Sequence, residues 1–172
     1  MNERPITQTV HEAPQRPPLH VVVFTLANEC FALPVVQVRE ILRLQEMTPL
    51  PKAPAFMAGV INLRGRVLAV IDLRKRFELE PASRSDEARI VIVRLPKALV
   101  GFIVDSVEEV LDLPREAIQV APEVSSAHIG RRYLSGIAQV ETRLVLLLNA
   151  TAVFSEEEAE QLAQVRTPHE VG

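Results

Sequence analysis

The sequence contains no tryptophan, one tyrosine and a single cysteine among its 172 residues. Because Cys30 has no second cysteine to pair with, an internal disulfide is excluded and a reducing compartment is favoured. Apolar runs stay far short of the roughly 20 residues that a membrane-spanning helix requires. We therefore expect a soluble cytoplasmic protein that meets a membrane only through its partners.

Signals for catalysis and metal binding are also sparse. A net charge of −3 supplies no positive field, which argues against a nucleic-acid partner. The glycines form no phosphate-binding pattern, and no serine lies in a nucleophile elbow. The histidines have no metal-ligand spacing to one another or to Cys30; they are His11, His20, His128 and His169. The sequence therefore predicts a binding module with no catalytic residue, no metal and no cofactor.

Two acidic residues leave an alternative open, because each follows an apolar run of strand length. Asp72 and Asp105 are either an acid pair or, as we prefer, turn residues at strand ends. The tightest basic run, Arg74 to Arg76, comes two residues after the first of them. A solvated strand end is the preferred interpretation of that run.

Composition divides the chain into three parts. Residues 1–18 are poor in apolar side chains and rich in proline, so we expect a disordered N-terminal leader. Residues 19–155 carry the strand patterns and form the predicted domain. Ser155 and Glu158 have capping-box spacing, so residues 156–172 are predicted to be a short helix and tail. Within the domain, residues 121–130 are predicted to form a surface loop.

The central segment of the domain, Phe56 to Phe77, is predicted to be a β-hairpin. Val60 to Leu63 alternates weakly, and Val67 to Leu73 is an almost continuous apolar run. Arg64 and Gly65 separate the two runs, and a two-residue break with glycine is typical of a tight hairpin turn.

This hairpin occurs twice, which indicates an internal duplication. Tyr133–Phe154 aligns with Phe56–Phe77 without a gap, and Ile90–Leu111 aligns with Val21–Leu42 in the same way. Many short strands with turn signals indicate an all-β fold. We therefore expect two small β-barrels, one for each copy of the pattern, and an exchange of strands between them remains open.

The motifs that carry these patterns resemble the CheW family, the adaptor domain of bacterial chemosensory arrays. They are spread through the span Val21 to Phe154, in order and at the spacing of the family. In this chain they read FALPVVQVREIL, PAFMAGVINLRGRVLAVIDLRKRF, GFIVDSVEEVLDL and YLSGIAQVETRLVLLLN. The chain is too short to carry a receiver or kinase domain as well, which disfavours the CheV and CheA architectures.

The resemblance implies a fold, an activity and partners. It implies two five-stranded β-barrels side by side with a hydrophobic groove between them, short helical turns and no enzymatic activity. Members of the family bridge the cytoplasmic tip of a chemoreceptor to the regulatory domain of a CheA-type histidine kinase. Such a protein would be cytoplasmic and would be recruited to receptor arrays at the membrane.

The resemblance also carries residue roles over to this sequence. Arg64, at the first hairpin turn, matches the receptor-side arginine of the family, and Glu40 matches an acidic position expected near it. We expect these two to form an ion pair at the rim of the groove. Val38, Val107 and Val110 are candidate receptor-binding groove residues, although periodicity does not separate groove from core. No kinase-binding residue is identified.

Two other functional classes remain open at this stage. A groove lined with valine and leucine could bind a small ligand between the barrels, which is the main alternative. An RNA-binding barrel is the third class, and it predicts salt-sensitive retention of nucleic acid.

Overall fold

The computed structural model describes residues 16–120 and 131–165. The predicted leader up to Gln15, the predicted loop at residues 121–130 and the tail from residue 166 lie outside these ranges. The described chain contains eleven strands and two short helices, α1 (Leu73–Arg76) and α2 (Glu156–Ala163). The strands are β1 Leu19–Leu26, β2 Glu29–Pro34, β3 Val38–Arg43, β4 Met57–Leu63, β5 Arg66–Asp72, β6 Arg89–Arg94, β7 Leu99–Val104, β8 Ser106–Leu113, β9 Ile118–Gln119, β10 Leu134–Val140 and β11 Arg143–Leu148.

The strands form two mixed sheets, which confirms the predicted all-β class. The first sheet has the order β8-β1-β2-β11-β10-β9, and the second has the order β3-β6-β7-β5-β4. Within each sheet one neighbouring pair is parallel, β2 with β11 and β5 with β7, and the other pairs are antiparallel. Each sheet therefore repeats the same pairing pattern.

The duplication predicted from the sequence explains this arrangement. The alignment places β1, β2 and β3 on β6, β7 and β8, and places β4 and β5 on β10 and β11. With those equivalences the two sheet orders coincide, except that β9 extends the first sheet. The third strand of each copy has changed places, because β3 joins the second sheet and β8 joins the first. Strand exchange between the two units is thus present.

The expectation of two closed barrels is not met, because both sheets remain open. The chain leaves β8 through Pro114 and a 3₁₀ turn, Arg115–Ala117, before the two-residue strand β9 reaches β10. In the second sheet the chain leaves β3 and returns to β4 through one isolated bridge, Thr48 with Val60. Prolines interrupt both returning segments and remove backbone donors, so neither ladder continues around to its other edge.

Three hydrophobic clusters hold the sheets, and the largest lies between them. Phe24, Phe31 and Leu33 of the first sheet meet Val91 and Phe102 of the second in this shared core, and all five are fully buried. Two smaller clusters each belong to one sheet alone. Each sheet therefore packs one face against its own cluster and the other against its partner sheet. The side chains of this shared core occupy the space between the sheets. Any groove between the sheets is therefore confined to the outer edge of that space.

The predicted local signals appear where the sequence places them. Leu63 pairs with Arg66 across the Arg64–Gly65 turn, as the hairpin prediction requires. The side chain of Ser155 accepts from the backbone of Glu158, whose carboxylate accepts from the backbone of Ser155. This capping box starts α2, which ends at Ala163. Leu162 anchors the helix on the shared core.

Candidate functional site

The β4–β5 turn presents Arg64 in an unusual backbone conformation. Arg64 has φ +52° and Gly65 has φ +82°, which together match the type I′ turn typical of two-residue hairpins. Left-handed φ is disfavoured for a residue with a Cβ, and Asn, Asp or Gly usually fills the first turn position. An arginine at this position is exposed at the tip of the hairpin.

The guanidinium of Arg64 reaches Glu40 on β3. The two nitrogens Nη1 and Nη2 donate to Oε2 and Oε1 of Glu40 at 2.6 and 2.9 Å. Since β3 and β4 are the two edge strands of the second sheet, this bidentate pair joins edges that no backbone ladder connects. The expected pairing of Glu40 with Arg64 is therefore present in the structure.

The two members of the pair differ in exposure. The side chain of Arg64 is 71% exposed and that of Glu40 is 23% exposed. The hydrogen bond from Arg64 lowers the pKa of Glu40, so the carboxylate stays charged at neutral pH. Exposed ion pairs add little to stability. The pair therefore acts mainly to fix where the guanidinium lies, with one face of it open to solvent.

The three candidate valines occupy different surroundings. Val38 on β3 and Val107 on β8 are half-buried and pack against the shared core between the sheets. Val110 is 62% exposed on β8, and Ile41, its equivalent on β3, is 39% exposed. The structure thus brings Glu40, Arg64 and Val38 to the second sheet, whereas Val107 and Val110 lie on the first.

A second ion cluster, which the sequence interpretation missed, lies at the equivalent place in the first sheet. Arg143 Nη1 donates to Glu108 Oε1 at 2.9 Å, and Nη2 donates to Glu109. These hydrogen bonds raise the pKa of Arg143 further above its ordinary value. The internal repeat indicates one residue of this cluster, because Glu109 aligns with Glu40. Arg143, however, aligns with Arg66 rather than Arg64, so the pair does not transfer residue by residue.

Asp72 and Asp105 are engaged separately, as turn residues would be. Asp72 is buried, accepts from the backbone N–H groups that begin α1, and pairs with Arg84 at 2.7 Å. Asp105 accepts from Arg74 at 2.7 and 3.0 Å and from the backbone N–H of Ala27 at 2.8 Å. Since each carboxylate has its own arginine, the arrangement does not resemble a shared-proton acid pair.

A cavity of about 400 Å³ lies beside these aspartates, under the loop from Leu79 to Ala88. Its lining residues belong to β5, α1, the end of β7 and that loop, so this cavity lies on the second sheet. Within residues 16–120 and 131–165, no group of three His, Cys, Asp or Glu side chains is arranged to hold a metal ion. None of the helices in those ranges has the length and apolarity needed to cross a bilayer.

Known proteins match this chain across both sheets. The family model for the CheW-like domain matches residues 20–158. A probable chemotaxis protein CheW of Rhizobium etli is 36% identical over 140 residues, covering 81% of this chain and 90% of that protein. Chemotaxis protein CheW of Bacillus subtilis is 35% identical over 140 residues, covering 81% of this chain and 89% of that protein. The crystal structure of the scaffolding protein TtCheW from Thermoanaerobacter tengcongensis has a TM-score of 0.76 at 33% identity, covering 83% of this chain and 91% of that one.

Proposed function

The chain belongs to the CheW-like family, and from that premise we propose that it is a non-enzymatic adaptor. In this role it couples chemoreceptors to a CheA-type histidine kinase in a chemosensory pathway. The support is the match of the family model to residues 20–158 together with relatives that are named as chemotaxis proteins. The adaptor works in the cytoplasm and is held at membrane-associated receptor arrays through its partners.

The receptor side is the rim formed by Glu40, Arg64 and Val38. The observation that carries this assignment is the bidentate ion pair, which holds a largely exposed guanidinium at the tip of the β4–β5 hairpin. A receptor tip is an antiparallel helical bundle, and a helix can lay an apolar face beside such a rim while a polar side chain meets the arginine. Val107 and Val110 extend the proposed surface onto the first sheet.

The kinase side is proposed to be a strand edge of the second of the two duplicated units. The regulatory domain of such kinases shares this fold. An edge-on contact between two similar units, one from each protein, would therefore continue the pseudo-symmetry of the two sheets. Retention of the isolated kinase regulatory domain on immobilised full-length protein tests this contact. A micromolar dissociation constant corresponds to a binding free energy of roughly −8 kcal/mol. If the kinase domain is not retained at a concentration about ten times that constant, the proposed contact is contradicted.

A charge-swap experiment tests the receptor rim. We expect Glu40→Arg and Arg64→Glu each to weaken binding of a receptor-tip fragment, because each leaves two like charges facing each other. The double variant restores opposite charges in the same geometry, so part of the binding should return. Binding is measured by co-sedimentation or calorimetry at two salt concentrations.

Arg66→Glu serves as the matched control, because Arg66 is exposed beside the same turn, while the hydrogen bonds to Glu40 come from Arg64. It changes the net charge by the same amount as Arg64→Glu. Equal loss of binding in both variants would mean that only overall charge matters. A double swap no better than the single variants would remove the pair from the receptor site.

A further inference from the structure

The β4–β5 turn has a second fixed point that the ion pair does not explain. The side-chain carbonyl Oδ1 of Asn62 accepts a hydrogen bond from the backbone N–H of Gly65 at 2.8 Å. Asn62 lies near the end of β4, two residues before Arg64. Its side chain therefore spans the turn and ties the second turn residue back to the strand.

The hydrogen bond between Gly65 and Asn62 restrains a turn whose left-handed backbone conformation is unfavourable for Arg64. A residue with a Cβ resists left-handed φ, so a restraint on the turn helps to hold arginine at its first position. The hydrogen bond to Gly65 restrains the following residue, whose φ of +82° completes the type I′ geometry. With the backbone of the turn restrained, the direction in which the Arg64 side chain leaves it is also restrained.

The other copy of the hairpin lacks this arrangement. Gln139 aligns with Asn62, and the turn residues there are Glu141 and Thr142. Of these two only Glu141 has positive φ, at +57°, and no hydrogen bond links Gln139 to the turn in the part of the chain that the structure describes. In that copy the arginine of the ion cluster, Arg143, lies on the strand itself. The asparagine contact therefore accompanies the copy in which the turn residue itself carries the guanidinium.

We propose that Asn62 is a positioning residue for the receptor rim: by bonding to Gly65 it fixes the turn that aims Arg64 at Glu40. The proposal rests on the receptor role given above to Arg64. Asn62 need not touch the partner. Its effect passes through the turn backbone to the guanidinium, and from there to the carboxylate of Glu40.

A readout without any partner tests the positioning itself. In the full-length protein, NMR titration follows the pKa of the Glu40 carboxyl, which Arg64 holds below its ordinary value. Asn62→Ala should raise the pKa of Glu40 toward the ordinary value and shift the amide resonance of Gly65. Gln139→Ala is the matched control and should change neither signal. An unchanged pKa of Glu40 in Asn62→Ala would overturn the proposal, whatever happens to binding.

Binding of a receptor-tip fragment supplies the second readout. Loss of one ordinary hydrogen bond corresponds to a change of about five-fold in an equilibrium constant, so Asn62→Ala should weaken binding about five-fold. Asn62→Asp keeps an acceptor oxygen at the same position and should restore the Gly65 amide shift and most of the affinity. Failure of this conservative variant to restore the amide shift would count against the role of the oxygen.

The two readouts also separate this proposal from the proposed function. If the pKa of Glu40 rises in Asn62→Ala but receptor binding is unchanged, the positioning role stands and the assignment of Arg64 to the receptor fails. If binding falls while the pKa of Glu40 stays low, Asn62 contacts the receptor directly and the positioning role fails.

Discussion

Two arginines show how single residues have diverged between the halves of the molecule. Arg64 and Arg143 each connect a hairpin to the strand at the opposite edge of its sheet, through Glu40 in one case and Glu108 and Glu109 in the other. Arg143 is only 31% exposed and has two carboxylate partners, whereas Arg64 is 71% exposed with one. The arrangement at Arg143 is suited to closing a sheet, whereas the arrangement at Arg64 leaves a cation available to a partner.

Asp105 offers a residue-scale prediction about stability and pH. Burial raises the pKa of Asp105, but the hydrogen bonds from Arg74 and from the Ala27 N–H, with the charges of Arg74 and Arg84, outweigh it, so the net pKa lies below its ordinary value of 3.8. The carboxylate joins the β1–β2 turn to α1, which links the two sheets. Asp105→Asn should therefore lower the free energy of unfolding at neutral pH by about 1–2 kcal/mol, since the site is partly exposed.

The pH dependence of that difference has a definite sign. A lowered folded-state pKa means that the unfolded chain binds the proton more readily, so the stabilisation is present above pH 3.8 and is lost as pH falls through the folded pKa. Urea titrations across this range should show the difference between the wild type and Asp105→Asn shrinking in acid. Asp86→Asn, at an exposed loop position, is the control. A difference that persists unchanged in acid would contradict the ion-pair explanation.

Among the elements, the returning segments explain a pair of glycines that the repeat aligns. A Cβ on Gly59 would lie 2.8 Å from the backbone oxygen of Thr48, and one on Gly136 would lie 2.8 Å from Cγ2 of Ile118. Both obstacles belong to the chain that crosses from one sheet edge to the other, at the Thr48 bridge and at β9. The glycines therefore provide the space in which each sheet is partly closed.

Substitution of these glycines gives an element-scale prediction. Gly59→Ala must displace backbone at Thr48 and adopt φ of +150°, so it should lower the free energy of unfolding by about 2 kcal/mol or more. Gly65→Ala has open space around its Cβ and bears only the cost of left-handed φ, about 1 kcal/mol. Chemical denaturation compares the two. Equal losses, or a larger loss for Gly65→Ala, would show that the close approach of Thr48 is unimportant.

The local elements were predictable because their signals are local. The Arg64–Gly65 turn and the Ser155–Glu158 capping box are set by residues within four positions of one another. The contact of Asn62 with Gly65 was also within reach, since asparagine commonly bonds to backbone near a turn. The bridge between Thr48 and Val60 was not predictable, because it depends on where a proline-rich segment passes in space. No pattern within that segment specifies the strand that it meets.

For the whole molecule, the exchanged strands decide what can fold alone. The duplication visible in the sequence favoured one barrel for each copy and left exchange between the copies open, and the hydrogen-bonded order shows that β3 and β8 have changed sheets. Alternating apolar residues specify that a strand has a buried face, but the same valines fit either sheet. Which sheet receives a strand is settled by packing across the shared core, where both copies contribute.

Cutting the chain between the two copies tests this interdependence. Residues 1–82 contain β1 to β5 and residues 83–172 contain the remaining strands, so neither fragment holds all the strands of either sheet. Four strand pairings join the fragments: β1 with β8, β2 with β11, β3 with β6 and β5 with β7. Isolated hairpins are marginally stable in water, so each fragment alone should lack a cooperative unfolding transition.

Mixing the fragments in equal amounts should restore a folded complex with a single transition, because the pairings and the shared core form between them. The association should be about micromolar or tighter, as expected of a large apolar interface. Circular dichroism and the chemical-shift dispersion of NMR spectra, recorded for each fragment alone and for the mixture, measure this outcome. A full-length chain cut by a protease at an engineered site after Ala82 is the control, and it should remain folded. Native-like cooperative unfolding of either fragment alone would mean that each copy closes on itself, and the exchange of β3 and β8 would then be wrong.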